Sequence, residues 1–148
     1  MLLCAWHAEA LTSCGVSATG VAFGTYNPLN ASAAVTTGSL TVTCTLLSGA
    51  ATTVSVRVDL GSGLSGSYAA RSMLSGANAL SYNLFWSTAY TQVWGDGTGG
   101  SFYGTASVPL TPSAPTQAVS GTMYARAPAA QDMAAGSYTD TIVVTVTY

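Results

Sequence analysis

Residues 39–46, SLTVTCTL, alternate without a break: Leu40, Val42, Cys44 and Leu46 fall on one side and hydroxyl residues on the other. Residues 53–60, TVSVRVDL, repeat the pattern. Val54, Val56, Val58 and Leu60 take the apolar side, and Arg57 and Asp59 take the outer one. The closing stretch does so again from Tyr138. Ile142, Val144, Val146 and Tyr148 share one face, Thr141, Thr145 and Thr147 the other, with Val143 the apolar exception. A period of two is that of a half-buried strand, and its recurrence commits the chain to sheets.

Further strands are expected at residues 21–26 (VAFGTY), 80–86 (LSYNLFW, less regular because of Phe85) and 119–127 (VSGTMYARA). Gly, Ser, Pro and Asn mark the turns between them. YAARSMLS and AAQDMAA are read as a turn or two of helix each, and no longer amphipathic helix is legible. Threonine-out, valine-in strands separated by turn signals predict an all-β antiparallel sandwich.

Apolar residues make up 49% of the 148 positions and charged residues 5%, where about 25% is usual. A surface so poor in charge points to a chain that works in an assembly. Arg57, Arg71 and Arg126 are the only cations, and the formal net charge is −2, so no basic stripe is available for nucleic acid. No apolar run approaches the roughly 18 residues of a membrane-spanning helix.

The first ten residues, MLLCAWHAEA, are apolar and end in a small-x-small pattern at Ala8-Glu9-Ala10. We read residues 1–10 as the remnant of a secretion signal and residues 11–148 as the folded domain. Cleavage after Ala10 removes Cys4, His7 and Glu9. Side-chain carboxylates then reduce to Asp59, Asp96, Asp132 and Asp140, with no His, Lys or Glu. General acid–base catalysis, an activated nucleophile and a zinc site all draw on residues that inventory lacks. The expectation is no enzyme, no catalytic residue, no metal and no cofactor.

GSGLSG at residues 61–66 matches a dinucleotide fingerprint, but no room for a crossover helix follows and no carboxylate stands about twenty residues on, so it is read as a loop. WGDGTGG at residues 94–100 holds one aspartate, too few for a calcium loop, and is read as a glycine-rich turn over Trp94. Asn30 heads an N-A-S glycosylation triplet, a short match of little weight. Cys14 and Cys44 form an even pair in an exported chain. They are either bridged or two buried thiols, and export favours the bridge.

In order along the chain, CGVSATGVAFGTYNP, TTGSLTVTCT, Arg71-Ser72-Met73, LSYNLFWS, WGDG and AAGSYTDTIVVTVTY resemble the spore coat protein U domain. That family includes the subunits of archaic chaperone–usher (Csu-type) pili. The match runs from Cys14 to Tyr148. The resemblance implies an immunoglobulin-like antiparallel β-sandwich lacking its last strand and completed by a donor strand. It also implies the Cys14–Cys44 disulfide. Only Leu11, Thr12 and Ser13 separate the cleavage point from Cys14, where such pilins carry an alternating donor segment, so this chain is expected not to donate a strand.

The function implied is a structural or adhesive subunit of a surface pilus, exported through the periplasm of a Gram-negative bacterium. A periplasmic pilus chaperone, an outer-membrane usher and other pilus subunits are the implied partners, with no nucleic acid and no direct membrane span. The donor-strand groove is assigned to Phe23, Tyr26, Ile142, Val144, Val146 and Tyr148. Surface adhesion is assigned to the long connections, residues 61–79 and 89–115, with Trp94, Phe102 and Tyr103. A self-complete tip adhesin domain and a secreted carbohydrate-binding module are the alternatives.

Overall fold

The computed structural model describes residues 9–148. Cys4, His7 and most of the expected secretion remnant lie outside the described residues. Eight strands follow one another: β1 (Leu11–Thr19), β2 (Ala34–Ser48), β3 (Thr52–Leu60), β4 (Arg71–Ser75), β5 (Asn78–Phe85), β6 (Gly104–Leu110), β7 (Thr116–Ala127) and β8 (Val144–Thr147). They form two antiparallel sheets, ordered β1-β2-β7-β5-β4 and β6-β3-β8, packed as an immunoglobulin-like sandwich. The inward residues of the alternating segments meet in one core. Leu40, Val42, Cys44 and Leu46 of β2 face Val54, Val56, Val58 and Leu60 of β3, and all eight are buried.

Several boundaries differ from the sequence reading. The first strand is residues 11–19, not 21–26. Its inner face carries only Thr12, Cys14, Val16 and Ala18, too small to stand out as an apolar run. Residues 21–26 are irregular, and Gly24 turns the chain there with a φ of +66°. Arg71–Ser75 is a strand rather than a helical turn, because β5 pairs with it from Arg71↔Tyr82 to Ser75↔Asn78. AAQDMAA is likewise not helical. The long connection at residues 89–115 contains β6, whose Pro109 sits on an edge strand where a missing N–H does no harm.

The closing segment changes sheets. Thr139 exchanges two backbone hydrogen bonds with Leu74 of β4, at 2.8 and 3.1 Å. The carbonyl of Val143 then accepts from the N–H of Gly61, and Val144–Thr147 run along β3. Only four residues of the alternating tail therefore enter the ladder.

Arg71 joins the two sheets at this end and is fully buried. Its guanidinium donates to the carbonyls of Gly61 (2.8 Å) and Trp94 (2.7 Å) and to Asn83 Oδ1 (2.7 Å). No carboxylate contacts it, and burial lowers its pKa from the ordinary arginine value. Trp94 is held the same way from its other side. Its indole stacks on Trp86 with centroids 3.9 Å apart and donates to the carbonyl of Val58. A Cβ at Gly104 would stand 2.8 Å from the Trp86 ring, so only glycine lets β6 pass the stacked pair. Among the described residues no buried side-chain nitrogen or oxygen lacks a partner. Replacing Arg71 by methionine keeps the bulk but strands several carbonyls. The expected loss is about 3–4 kcal/mol, read from the denaturant midpoint at unchanged slope.

Candidate functional site

Five strands face three, and the shortfall falls at one side. β1 ends one sheet and β8 ends the other, each hydrogen-bonded on a single edge. Cross-strand neighbours share a face, so Val16 and Ala18 point the same way as Val42 and Leu40. Val42 and Leu40 are 1% and 3% exposed, yet Val16 is 41% exposed and Ala18 is exposed as well. Across the gap, Ile142, Val144 and Val146 pack on the core but remain only half-buried. The inner faces of both edge strands lack cover.

The gap opens into two adjoining chambers. The narrower, about 280 Å³, is walled by Ala18, Val21, Leu60, Met123, Ile142 and Val144, among others. The wider, about 900 Å³, lies between residues 21–28 and 133–138 and includes Phe23 and Tyr26. Val21, Met73 and Tyr138 border both.

Polar contacts fix the walls. The Tyr26 hydroxyl donates to the carbonyl of Pro128 (2.6 Å) and accepts from the N–H of Gln131 (3.1 Å). The side-chain amide of Gln131 then pairs with both backbone groups of Ser81, as a neighbouring strand would. On the other wall, Asp140 accepts from the N–H groups of Leu64 and Thr141 and from the Tyr82 hydroxyl, all within 2.8 Å. Burial, and then the bond to Asp140, push the Tyr82 phenol well above its usual pKa, so it remains a neutral donor at physiological pH.

The residues assigned to a groove from sequence divide. Ile142 and Val144 line the narrow chamber, and Phe23 and Tyr26 line the wide one, facing residues 133–138 rather than β8. Val146 packs on the core farther along β8. Tyr148 is 55% exposed and lines neither chamber. Val16, Ala18, Met73 and Met123 were missed. The pairing of β1 with β2 was the signal for the first two, and it is visible only once both cysteines are set opposite each other.

Cys14 and Cys44 stand directly opposite in the β1–β2 ladder and are bonded, with Cα atoms 4.1 Å apart. Of the aromatics assigned to adhesion, Phe102 and Tyr103 are 49% and 46% exposed, while Trp94 is 2% exposed and therefore leaves that surface. Arg57 lies 4.0 Å over the Tyr103 ring and pairs with Asp59 at 2.8 Å. Asp96 accepts from the hydroxyl and N–H of Thr98, which hold its carboxyl below the usual range. Three of the four aspartates thus serve local structure.

The Spore Coat Protein U domain matches residues 2–145, a span that begins within the segment read as a secretion remnant. Protein U of Myxococcus xanthus is 34% identical over 135 residues, covering 85% of this chain and 70% of that protein. The fold is also that of a chain in the crystal structure of the CsuC-CsuE chaperone–tip adhesion subunit pre-assembly complex, from archaic chaperone-usher Csu pili of Acinetobacter baumannii. That superposition has a TM-score of 0.56 at 22% identity and covers 93% of this chain and 40% of that one. This chain spans less than half the length of that structural relative.

The bridge closes a loop of 30 residues and tethers an edge strand with little burial of its own. Replacing both cysteines by alanine is expected to cost roughly 3–4 kcal/mol in thermal or denaturant unfolding. Native protein should gain two protons in mass on reduction.

Proposed function

The chain belongs to the Spore Coat Protein U domain family, and from that premise we propose that it is a structural, adhesive subunit of a surface pilus assembled by donor-strand exchange. The uncovered inner faces of β1 and β8 carry this reading. An alternating apolar strand laid between them would hydrogen-bond along an open edge and cover Val16, Ala18, Ile142 and Val144. The occupant is first a strand of a periplasmic chaperone and then a strand of another subunit, exchanged at an outer-membrane usher. Residues 1–10 belong to export, and residues 11–148 are the working domain. The bonded cysteine pair fits an oxidising compartment outside the cytoplasm.

Burying four or five donor side chains at about 1.5–3 kcal/mol each supplies on the order of 10 kcal/mol before ordering costs. Fusing an alternating apolar strand after Tyr148 is therefore expected to raise the melting temperature by well over about 10 °C and to suppress aggregation. Equal stability with and without the fused strand means that the sandwich is already complete, and the reading is lost.

Adhesion is assigned to the surface around Phe102 and Tyr103, two exposed aromatics of which Tyr103 lies under the Arg57 guanidinium. Aspartate at both aromatic positions should lower attachment to apolar surfaces several-fold at an unchanged number of pili. Attachment equal to that of the unsubstituted protein excludes this surface.

A further inference from the structure

Four methionines occur in the sequence, and the three among the described residues, Met73, Met123 and Met133, all line the two chambers. Met73 is half-buried and borders both. Met123 rises from β7 into the narrow chamber, and Met133 stands in the irregular wall of the wide one. The closed half of the core is different. It holds Val42, Val54, Val56, Val58 and Val108 beside Leu40, Leu46 and Leu110, and none of these borders either chamber, whereas the chambers set all three methionines among Val21, Leu60, Ile142 and Val144. A valine has two heavy atoms on Cβ and little freedom at χ1, so it presents one shape. A methionine is unbranched, has three rotatable bonds and fills irregular gaps.

We propose that the cleft is built to seat apolar strands of more than one side-chain pattern, with Met73, Met123 and Met133 repacking around whichever strand is present. This inference rests on the donor-strand reading, which requires the same cleft to hold two different strands in succession. A rigid wall complementary to one strand would leave voids or clashes with the other, each costly in a packed interior. Methionine walls hold both at similar stability. The wide chamber adds to this, because most of its wall is loop, within residues 21–28 and 133–138, and only Met73 and Leu80 come from ladder strands. The occupant is an extended strand from a separate polypeptide, apolar at alternate positions and aliphatic or aromatic there.

The test uses the full chain with a flexible linker and a donor strand after Tyr148. Three donors differ only at the cleft-facing positions: valine throughout, leucine throughout, or leucine with one phenylalanine. The unsubstituted protein should melt within about 5 °C across the three donors. Met73→Ile, Met123→Ile and Met133→Ile combined keep the bulk but remove the adaptability. The spread should then widen to about 15 °C or more, with one donor favoured. Met73→Ile alone, at a half-buried position, should widen it in the same direction and decides the matter if the triple variant does not fold. A spread unchanged by the substitutions, or already as wide in the unsubstituted protein, overturns the inference and leaves the donor-strand reading standing. Failure of every donor to raise the melting temperature of the unsubstituted protein overturns both.

Discussion

Three strands cannot cover the inner face of five. The five-stranded sheet presents an apolar face from β1 to β4, and β6, β3 and β8 lie over only part of it. The uncovered part falls at β1 and the start of β8, and the cleft, the half-buried valines and the two open edges are all consequences of it. Such an edge is a standing hazard for aggregation unless something occupies it. A chain with charge on only 5% of its residues has little electrostatic repulsion to offset that hazard.

A gap between two apolar walls would be expected to collapse, and here polar contacts oppose collapse. Arg71 bolts the ends of β3 and β4 to Trp94 through neutral carbonyls. Asp140 holds the segment before β8 against Leu64 and Tyr82. Tyr26 and Gln131 hold the opposite wall against Pro128 and Ser81. The contacts of Arg71, Tyr82 and Ser81 are buried or part-buried, so shifting a wall would cost about 1–3 kcal/mol for each of those groups left bare. The disulfide does the corresponding work for β1. That strand buries little of its own surface and is bonded covalently to the buried centre of β2.

Rigid walls and adaptable contents are thus separated. The polar anchors sit at the rim and in the connecting loops, where they set the positions of the backbones. The side chains that meet an occupant include unbranched and small ones, the three methionines, Ala18 and Gly20, set among the branched Val21, Ile142 and Val144. The closed half of the core, packed with branched valines, keeps the sandwich in register whatever lies in the cleft.

The sequence alone determined the all-β class, the strands whose inner face is continuous and large, and the pairing of Cys14 with Cys44 by family resemblance. The first two of those features are local, because period-two alternation in β2 and β3 is visible wherever the burying partner is itself strongly apolar. It also marked Ile142 and Val144 as facing inward. Tertiary structure decided the rest. β1 was illegible because its inner face is uncovered and so carries small residues. β4 was illegible because what makes it a strand is its pairing with β5 and with Thr139, which bridges to Leu74 from 65 residues away. The burial of Trp94 and of a lone arginine depends on carbonyls contributed by three separated segments. Tyr148 continues the alternation in sequence but is left exposed. Alternation states which way a side chain points; only the packed sheets decide whether anything lies there to meet it.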